Sequence, residues 1–156
     1  MGILLSGADI VDLAVQTETR GEAFYREAAG RSTSPEAREL FTYLAEQELR
    51  HKQIFAGLGS AIIETEIGED DWQEAIDYIN ATVGQTFFAD GTPIRSIPAG
   101  STVREMIERA ITFEQQTLLF FYTLRELVQP VNRVLIDTIV TEERSHVRRL
   151  AAMRNA

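Results

Sequence analysis

Residues 41–58, FTYLAEQELRHKQIFAGL, contain the pattern that decides the fold. Positions 41, 44, 48, 51, 55 and 58 follow the alternating three- and four-residue spacing of a buried helix face. They are Phe, Leu, Glu, His, Phe and Leu, so a Glu-x-x-His pair interrupts an apolar stripe. This pattern predicts a helix whose buried face has two ionisable groups at its centre.

The same pattern recurs in residues 136–153, IDTIVTEERSHVRRLAAM, where the stripe is Ile, Ile, Glu, His, Leu and Met. The chain has only two histidines, and each stands three residues after a glutamate on a predicted core stripe. A glutamate and a histidine at positions i and i+3 lie on one helix face and can reach one site. The spacing therefore predicts two matching Glu-x-x-His pairs, Glu48 with His51 and Glu143 with His146.

Two further helices each place one glutamate on a predicted core stripe. Glu18 is centred on the stripe Val11, Ala14, Glu18, Gly21, Tyr25 and Ala28, and Glu114 lies on the stripe Ile107, Ala110, Glu114, Thr117, Phe121, Leu124 and Val128. Glu18 lies 30 residues before Glu48, and Glu114 lies 29 residues before Glu143. The two halves of the chain therefore resemble an internal repeat of one helical hairpin.

The helices are predicted at about Ala8 to Ala29, Ser34-Pro35 to Gly57, Ser101 to Val128 and Asn132 to Arg154. Short connections make the first two helices, and the last two, antiparallel hairpins. A crossover of residues 59–100 joins the hairpins. It contains a predicted extra helix, capped at Asp70-Asp71, with the stripe Trp72, Ile76, Ile79 and Val83.

One long crossover is typical of a ferritin-like four-helix bundle. We therefore expect an all-α single domain over residues 1–156, with helix pairs at about 8–58 and 101–155. A length of 156 residues suits one domain.

Composition excludes several classes of function. The net charge of −9 argues against nucleic acid or an anionic membrane as a partner. No apolar stretch reaches the length needed to span a bilayer. The chain has no cysteine, which excludes disulfides, thiolate catalysis and cysteine-ligated iron. This composition fits a reducing compartment, and we expect a cytoplasmic protein.

Four glutamates in one dry core need a physical reason, because buried carboxylates repel one another and lose hydration. Two divalent cations would balance about four negative charges, and each histidine would give one neutral nitrogen. One Glu from each of two helices plus Glu-x-x-His from each of two others is the di-iron or di-manganese pattern. The alternatives are that both histidines are hydrogen-bonded core residues, and that Glu18 and Glu114 lie on solvated helix faces. Glu22 is expected to be solvated or to lie near a ligand. Glu142, four residues before His146, is the alternative to Glu143 as the ligand.

The sequence resembles the di-iron domain of the rubrerythrin family through four stretches. They are ETRGEAFY from Glu18, LAEQELRH to His51, AITFEQQTLLFFY around Glu114 and VTEERSH to His146. The resemblance implies six ligands, two iron ions with manganese as the alternative, and a homodimer. It favours Glu48 and Glu143 as bridging ligands and Glu18 and Glu114 as terminal ligands. Tyr25, seven residues after Glu18, is a candidate hydrogen-bond donor beside the metals, with a plain core aromatic as the alternative.

Two departures from the family bear on function. Rubrerythrin carries a cysteine-containing electron-transfer domain, so here electrons are expected from a separate donor protein. The family has an extra ligand glutamate where this chain has Thr117. The main hypothesis is an oxidoreductase that reacts with O2 or hydrogen peroxide, as a peroxidase or ferroxidase. The alternatives are an iron-handling or structural metal protein without turnover, and a helical interaction module with a degenerate site.

Overall fold

The structure, a computed structural model, describes residues 7–58, 69–79, 81 and 97–156. Its helices are α1 (Gly7–Arg31), α2 (Pro35–Ala56), α3 (Glu69–Ile79), α4 (Val103–Leu127) and α5 (Arg133–Arg154), with a 3-10 turn at Pro130–Asn132. The predicted all-α class is confirmed. No helix within the described ranges is long and apolar enough to cross a membrane.

Side-chain caps determine where two of the helices begin. The Ser34 hydroxyl accepts a hydrogen bond from a backbone N–H in the first turn of α2, and Pro35 occupies a position that needs no N–H. At α4, the Thr102 hydroxyl accepts from the N–H of Glu105 at 3.1 Å, and the Glu105 carboxylate accepts from the N–H of Thr102 at 3.0 Å. This capping box starts α4 after Thr102, and not at Ser101 as predicted.

Two helices differ slightly from their predicted bounds. α1 continues through Gly30 to Arg31, because a glycine inside a helix weakens it without ending it. α3 begins one residue before Asp70 and Asp71, which lie in its first turn, where the helix dipole favours negative charge. The predicted α3 stripe is buried at its middle, whereas Val83 lies outside the described residues.

The helices pack as two hairpins. α1 packs mainly against α2, and α4 mainly against α5, while α1–α4 and α2–α5 contacts join the hairpins and α3 packs on α4. Arg31 at the end of α1 donates a 2.6 Å hydrogen bond to the carbonyl of Ile97. The crossover therefore returns to the end of the bundle where α1 finishes, and each helix runs antiparallel to its neighbours.

Aromatic side chains fill the core on both sides of the bundle's midplane. Towards the end where α1 finishes, Tyr25 stacks on Phe41 with ring centroids 6.2 Å apart. Towards the other end, Phe55 contacts Phe121 at 4.8 Å between centroids. All four residues are buried. These apolar layers enclose the section of the bundle that contains the glutamates.

Candidate metal centre

The six predicted ligands all lie buried in the centre of the bundle, each at most 1% exposed. They are Glu18 from α1, Glu48 and His51 from α2, Glu114 from α4, and Glu143 and His146 from α5. The three-residue spacing within α2 and α5 turns the glutamate and the histidine to the same inner face. Four helices thus bring together side chains that are far apart in the sequence.

The six side chains form two overlapping groups that could each hold a metal ion. The first group consists of Glu18, Glu48, His51 and Glu143, and the second of Glu48, Glu114, Glu143 and His146. Within each group, one ligand atom per residue lies within 4.8 Å of the others. Glu48 and Glu143 belong to both groups. The geometry therefore offers two adjacent sites, each with three carboxylates and one imidazole, that share two carboxylates.

Both imidazoles present Nδ1 to the carboxylates. Nδ1 of His51 lies 2.8 Å from Oε1 of Glu143 and 3.9 Å from Oε1 of Glu18. Nδ1 of His146 lies 3.2 Å from Oε2 of Glu143 and 3.5 Å from Oε1 of Glu114. The two rings stack with centroids 5.8 Å apart and planes 18° apart. Nε2 of neither ring makes a hydrogen bond to the four buried glutamates among the described residues.

The donor set fits a pair of divalent transition-metal ions. Both carboxylate oxygens of Glu18 and of Glu48, and Oε2 of Glu114, are buried without a hydrogen-bond partner among the described residues. Buried polar atoms in native proteins are normally paired, so such atoms indicate a missing partner. Carboxylate oxygens with imidazole nitrogens suit Fe²⁺ and Mn²⁺. Bound cations would pair these oxygens and offset their repulsion.

Without metal, the cluster retains protons. Burial and the nearby carboxylate of Glu143 raise the pKa of both Glu18 and Glu114 well above the usual range. Burial disfavours the charged form of His146, but hydrogen bonds to Glu114 and Glu143 outweigh it and raise its pKa to about 10. Burial also opposes ionisation of Glu143, but hydrogen bonds from Glu114, His146 and His51 lower its pKa. Metal binding must therefore release protons from this site.

Tyr25 takes both of the roles that the sequence left open. Its phenol donates a buried 2.6 Å hydrogen bond to Oε1 of Glu114, and its ring stacks in the core on Phe41. Burial, and then the carboxylate of Glu114, raise the pKa of the phenol well above its usual value. Tyr25 therefore keeps its proton and fixes one oxygen of Glu114.

Two other glutamates near the predicted ligands, Glu22 and Glu142, lie at the edge of the cluster and are partly exposed. Glu22 is 16% exposed. It forms salt bridges with Arg26 at 2.7 Å and with Lys52 at 3.9 Å, so it lies outside the cluster. Glu142 is 30% exposed and contacts His51, on another helix, at 2.6 Å between its Oε2 and Nε2. Neither residue belongs to the two candidate metal groups.

Three features of the site escaped the sequence analysis. Arg50 pairs with Glu142, which no local spacing could indicate. At Gly21, an added Cβ would lie 3.0 Å from a ring carbon of Phe113 and 3.2 Å from Cδ of Glu48. The glycine on a core stripe was the signal for that close approach. The hydroxyl of Thr117 is buried and has no hydrogen-bond partner within the described part of the chain.

The bundle topology and the shared-carboxylate cluster define a class, the ferritin-like proteins with a di-metal carboxylate site. The family model Rubrerythrin matches residues 9–154 of this sequence. The chain therefore belongs to the rubrerythrin family.

A solved structure supports the same fold. A protein of Thermotoga maritima, described as a ferritin-like diiron-carboxylate protein, matches with a TM-score of 0.68 and 23% sequence identity. The match covers 97% of this chain and 95% of that chain. At this identity the similarity shows the fold. Among curated proteins, none matches the sequence significantly.

Proposed function

We propose that this protein is a rubrerythrin-like non-haem di-iron oxidoreductase that reacts with hydrogen peroxide or O2. One iron ion would occupy each of the two groups, with manganese as the alternative metal. The observation that most directly supports the proposal is that Glu48 and Glu143 belong to both groups, each of which has its own histidine. Two ions held by shared carboxylates are close enough to act together.

The residues have distinct roles in this proposal. Glu48 and Glu143 would bridge the ions, Glu18 and Glu114 would be terminal ligands, and each histidine would supply Nδ1. Two ferrous ions, when bound, supply two electrons to an oxidant. The carboxylates balance the charge of the ions, and the aromatic layers restrict water. The Tyr25 hydrogen bond holds the orientation of Glu114.

Electrons would return to the site from a separate donor protein. The 156 residues contain no cysteine, so they hold no rubredoxin-type iron site of their own. The family resemblance also predicts a homodimer, which sedimentation analysis would test.

Elemental analysis of protein purified without oxygen tests the metal content, and absorption spectra after addition of peroxide or O2 test its reactivity. We expect about two irons per chain and new near-ultraviolet absorption of the oxidised centre. His51→Ala should lose one iron. The matched control is Glu46→Ala, an exposed residue of the same helix, which should retain both. Two retained irons in His51→Ala would contradict the assignment.

A second function is favoured by Thr117, which stands where the family's additional ligand glutamate is expected. A centre with one carboxylate fewer could bind and deliver iron without turning over peroxide. Steady-state consumption of peroxide with a chemical reductant separates the two functions. Sustained turnover supports the oxidoreductase, and a single stoichiometric oxidation supports iron handling.

A further inference from the structure

The two histidines of the cluster differ in the surroundings of Nε2. Nε2 of His51 lies 2.6 Å from Oε2 of Glu142. Nε2 of His146 is buried and has no hydrogen-bond partner among the residues that the structure describes. Tyr43 makes a T-shaped ring contact with His146, with centroids 6.3 Å apart and planes at 84°. The otherwise similar groups are therefore unequal.

The internal repeat explains this difference in sequence terms. Glu142 directly precedes Glu143, just as Gln47 directly precedes Glu48. Equivalent positions of the repeat thus carry a carboxylate in α5 and a neutral amide in α2. Oε1 of Gln47 accepts a 2.9 Å hydrogen bond from Arg50, the same residue that pairs with Glu142. The repeat is therefore broken at the position whose side chain contacts Nε2 of His51.

A carboxylate on the outer nitrogen of an imidazole strengthens that imidazole as a ligand. When Nε2 donates its proton to Glu142, the ring is fixed in one tautomer and orientation, and Nδ1 presents its lone pair to the cluster. The loss of such a partner costs about 10- to 100-fold in metal affinity. Among the described residues, only His51 has this support.

The glutamates that belong to one group alone differ in the same direction. Both oxygens of Glu18 lack hydrogen-bond partners within the described residues, so both remain available. Oε1 of Glu114 already accepts the 2.6 Å hydrogen bond of Tyr25. Glu48 and Glu143 belong to both groups, so these two residues do not make one group a stronger metal site than the other. In the group that contains His51, the histidine has a carboxylate partner at Nε2, and both oxygens of its own glutamate, Glu18, are available to a metal ion.

We propose that the two sites bind divalent metal with unequal affinity and fill in a fixed order. The first ion binds at Glu18, Glu48, His51 and Glu143, and Glu142 is the positioning residue that gives this site its advantage. The second ion binds at the group that contains His146. The inference rests on the proposed function only in requiring metal at the cluster, and it is independent of turnover.

Anaerobic titration of the metal-free full chain with Co²⁺, followed by visible absorption and calorimetry, tests the order. We expect two steps whose dissociation constants differ by about tenfold or more. His146→Ala should keep the tight ion and lose the weak one, and His51→Ala should lose the tight ion. Glu142→Gln should weaken the tight step by about 10- to 100-fold without altering the helical circular dichroism. Glu142 is partly exposed, so this isosteric variant is expected to fold.

The matched control is Glu46→Gln, an exposed glutamate on α2, which should leave both steps unchanged. Three results would each overturn the inference. They are equal affinity of the wild-type chain for the two ions, an unchanged tight step in Glu142→Gln, and loss of the tight ion in His146→Ala. In those cases two ions still bind and the proposed function stands. Failure of the wild-type chain to bind Co²⁺, Fe²⁺ or Mn²⁺ would overturn both.

Discussion

The phenol of Tyr25 and the carboxylate of Glu114 are joined by a 2.6 Å hydrogen bond between residues 89 positions apart in the sequence. Both side chains are fully buried. The bond links α1 of one hairpin to α4 of the other at the level of the candidate metal site. It therefore contributes both to the docking of the hairpins and to the orientation of a predicted ligand.

Replacement of Tyr25 by Phe should lower the free energy of unfolding of the metal-free protein by about 1–3 kcal/mol, because it leaves a buried carboxylate oxygen without its donor. Urea unfolding followed by circular dichroism measures the change. Tyr122→Phe is the matched control, since Tyr122 lies on the same bundle but is 46% exposed. Equal effects of the two substitutions would show that the hydrogen bond contributes nothing.

Gly21 allows α1 to approach the shared glutamate Glu48. A methyl group at this position would lie 3.0 Å from the Phe113 ring and 3.2 Å from Cδ of Glu48. We expect Gly21→Ala to cost about 1–3 kcal/mol of stability through overpacking, and to weaken binding of both metal ions. Gly30 lies on the same helix with nothing within 4 Å of an added Cβ, so Gly30→Ala should instead stabilise by about 0.5–1 kcal/mol.

Unfolding of both glycine variants and titration with Co²⁺ check this prediction. If Gly21→Ala gained stability as Gly30→Ala does, Glu48 and Phe113 would have room to move. The close approach would then have no influence on the site.

The helices and the six buried side chains could be predicted because their signals are local. The periodicity of apolar residues gives each helix, and the spacing of Glu48 and His51 turns both side chains to one face. The sequence also contained the repeat that relates this pair to Glu143 and His146. The helices and the Glu-x-x-His spacing depend on residues within two turns of one another, and the repeat is found by comparing two such local patterns.

Contacts between helices could not be predicted in the same way. Glu142 was weighed against Glu143 through its spacing from His146 on its own helix, yet its partner is His51, 91 positions away. That choice depends on how α2 and α5 pack. The sequence placed the start of α4 at Ser101, one residue before the observed cap Thr102. Serine and threonine can both cap a helix, and only the hydrogen bonds with Glu105 decide between them.

Two buried threonines should respond in opposite ways to the loss of their hydroxyl groups. Thr17 donates a 2.7 Å hydrogen bond to the carbonyl of Leu13, whereas the hydroxyl of Thr117 has no partner among the described residues. In the metal-free protein, Thr17→Val should cost about 0.5–1.5 kcal/mol, and Thr117→Val should be neutral or stabilising, because an unpaired buried hydroxyl is itself costly. Thermal unfolding of both variants measures the difference. A large loss in Thr117→Val would mean that its hydroxyl has a partner in solution.

The stability of the metal-free protein should fall as pH rises from about 5 to about 10. The pKa values of Glu18 and Glu114 are raised in the folded state, so that state retains protons that the unfolded chain has released. The raised pKa of His146 acts in the same direction. Its contribution is full below the unfolded value of 6.5 and is lost as pH rises through about 10.

Below this window the sign reverses. The pKa of Glu143 is lowered in the folded state, so its contribution is present above the ordinary value of 4.5 and is lost as pH falls. Urea unfolding with a chelator, at intervals from about pH 4 to about pH 10, should therefore show a maximum near the acid end. Glu114→Gln should flatten the alkaline decline. The metal-loaded protein should show the opposite slope, because protons compete with metal for the same atoms. A metal-free protein whose stability rose between pH 6 and pH 9 would show that the buried carboxylates carry their full charge at neutral pH.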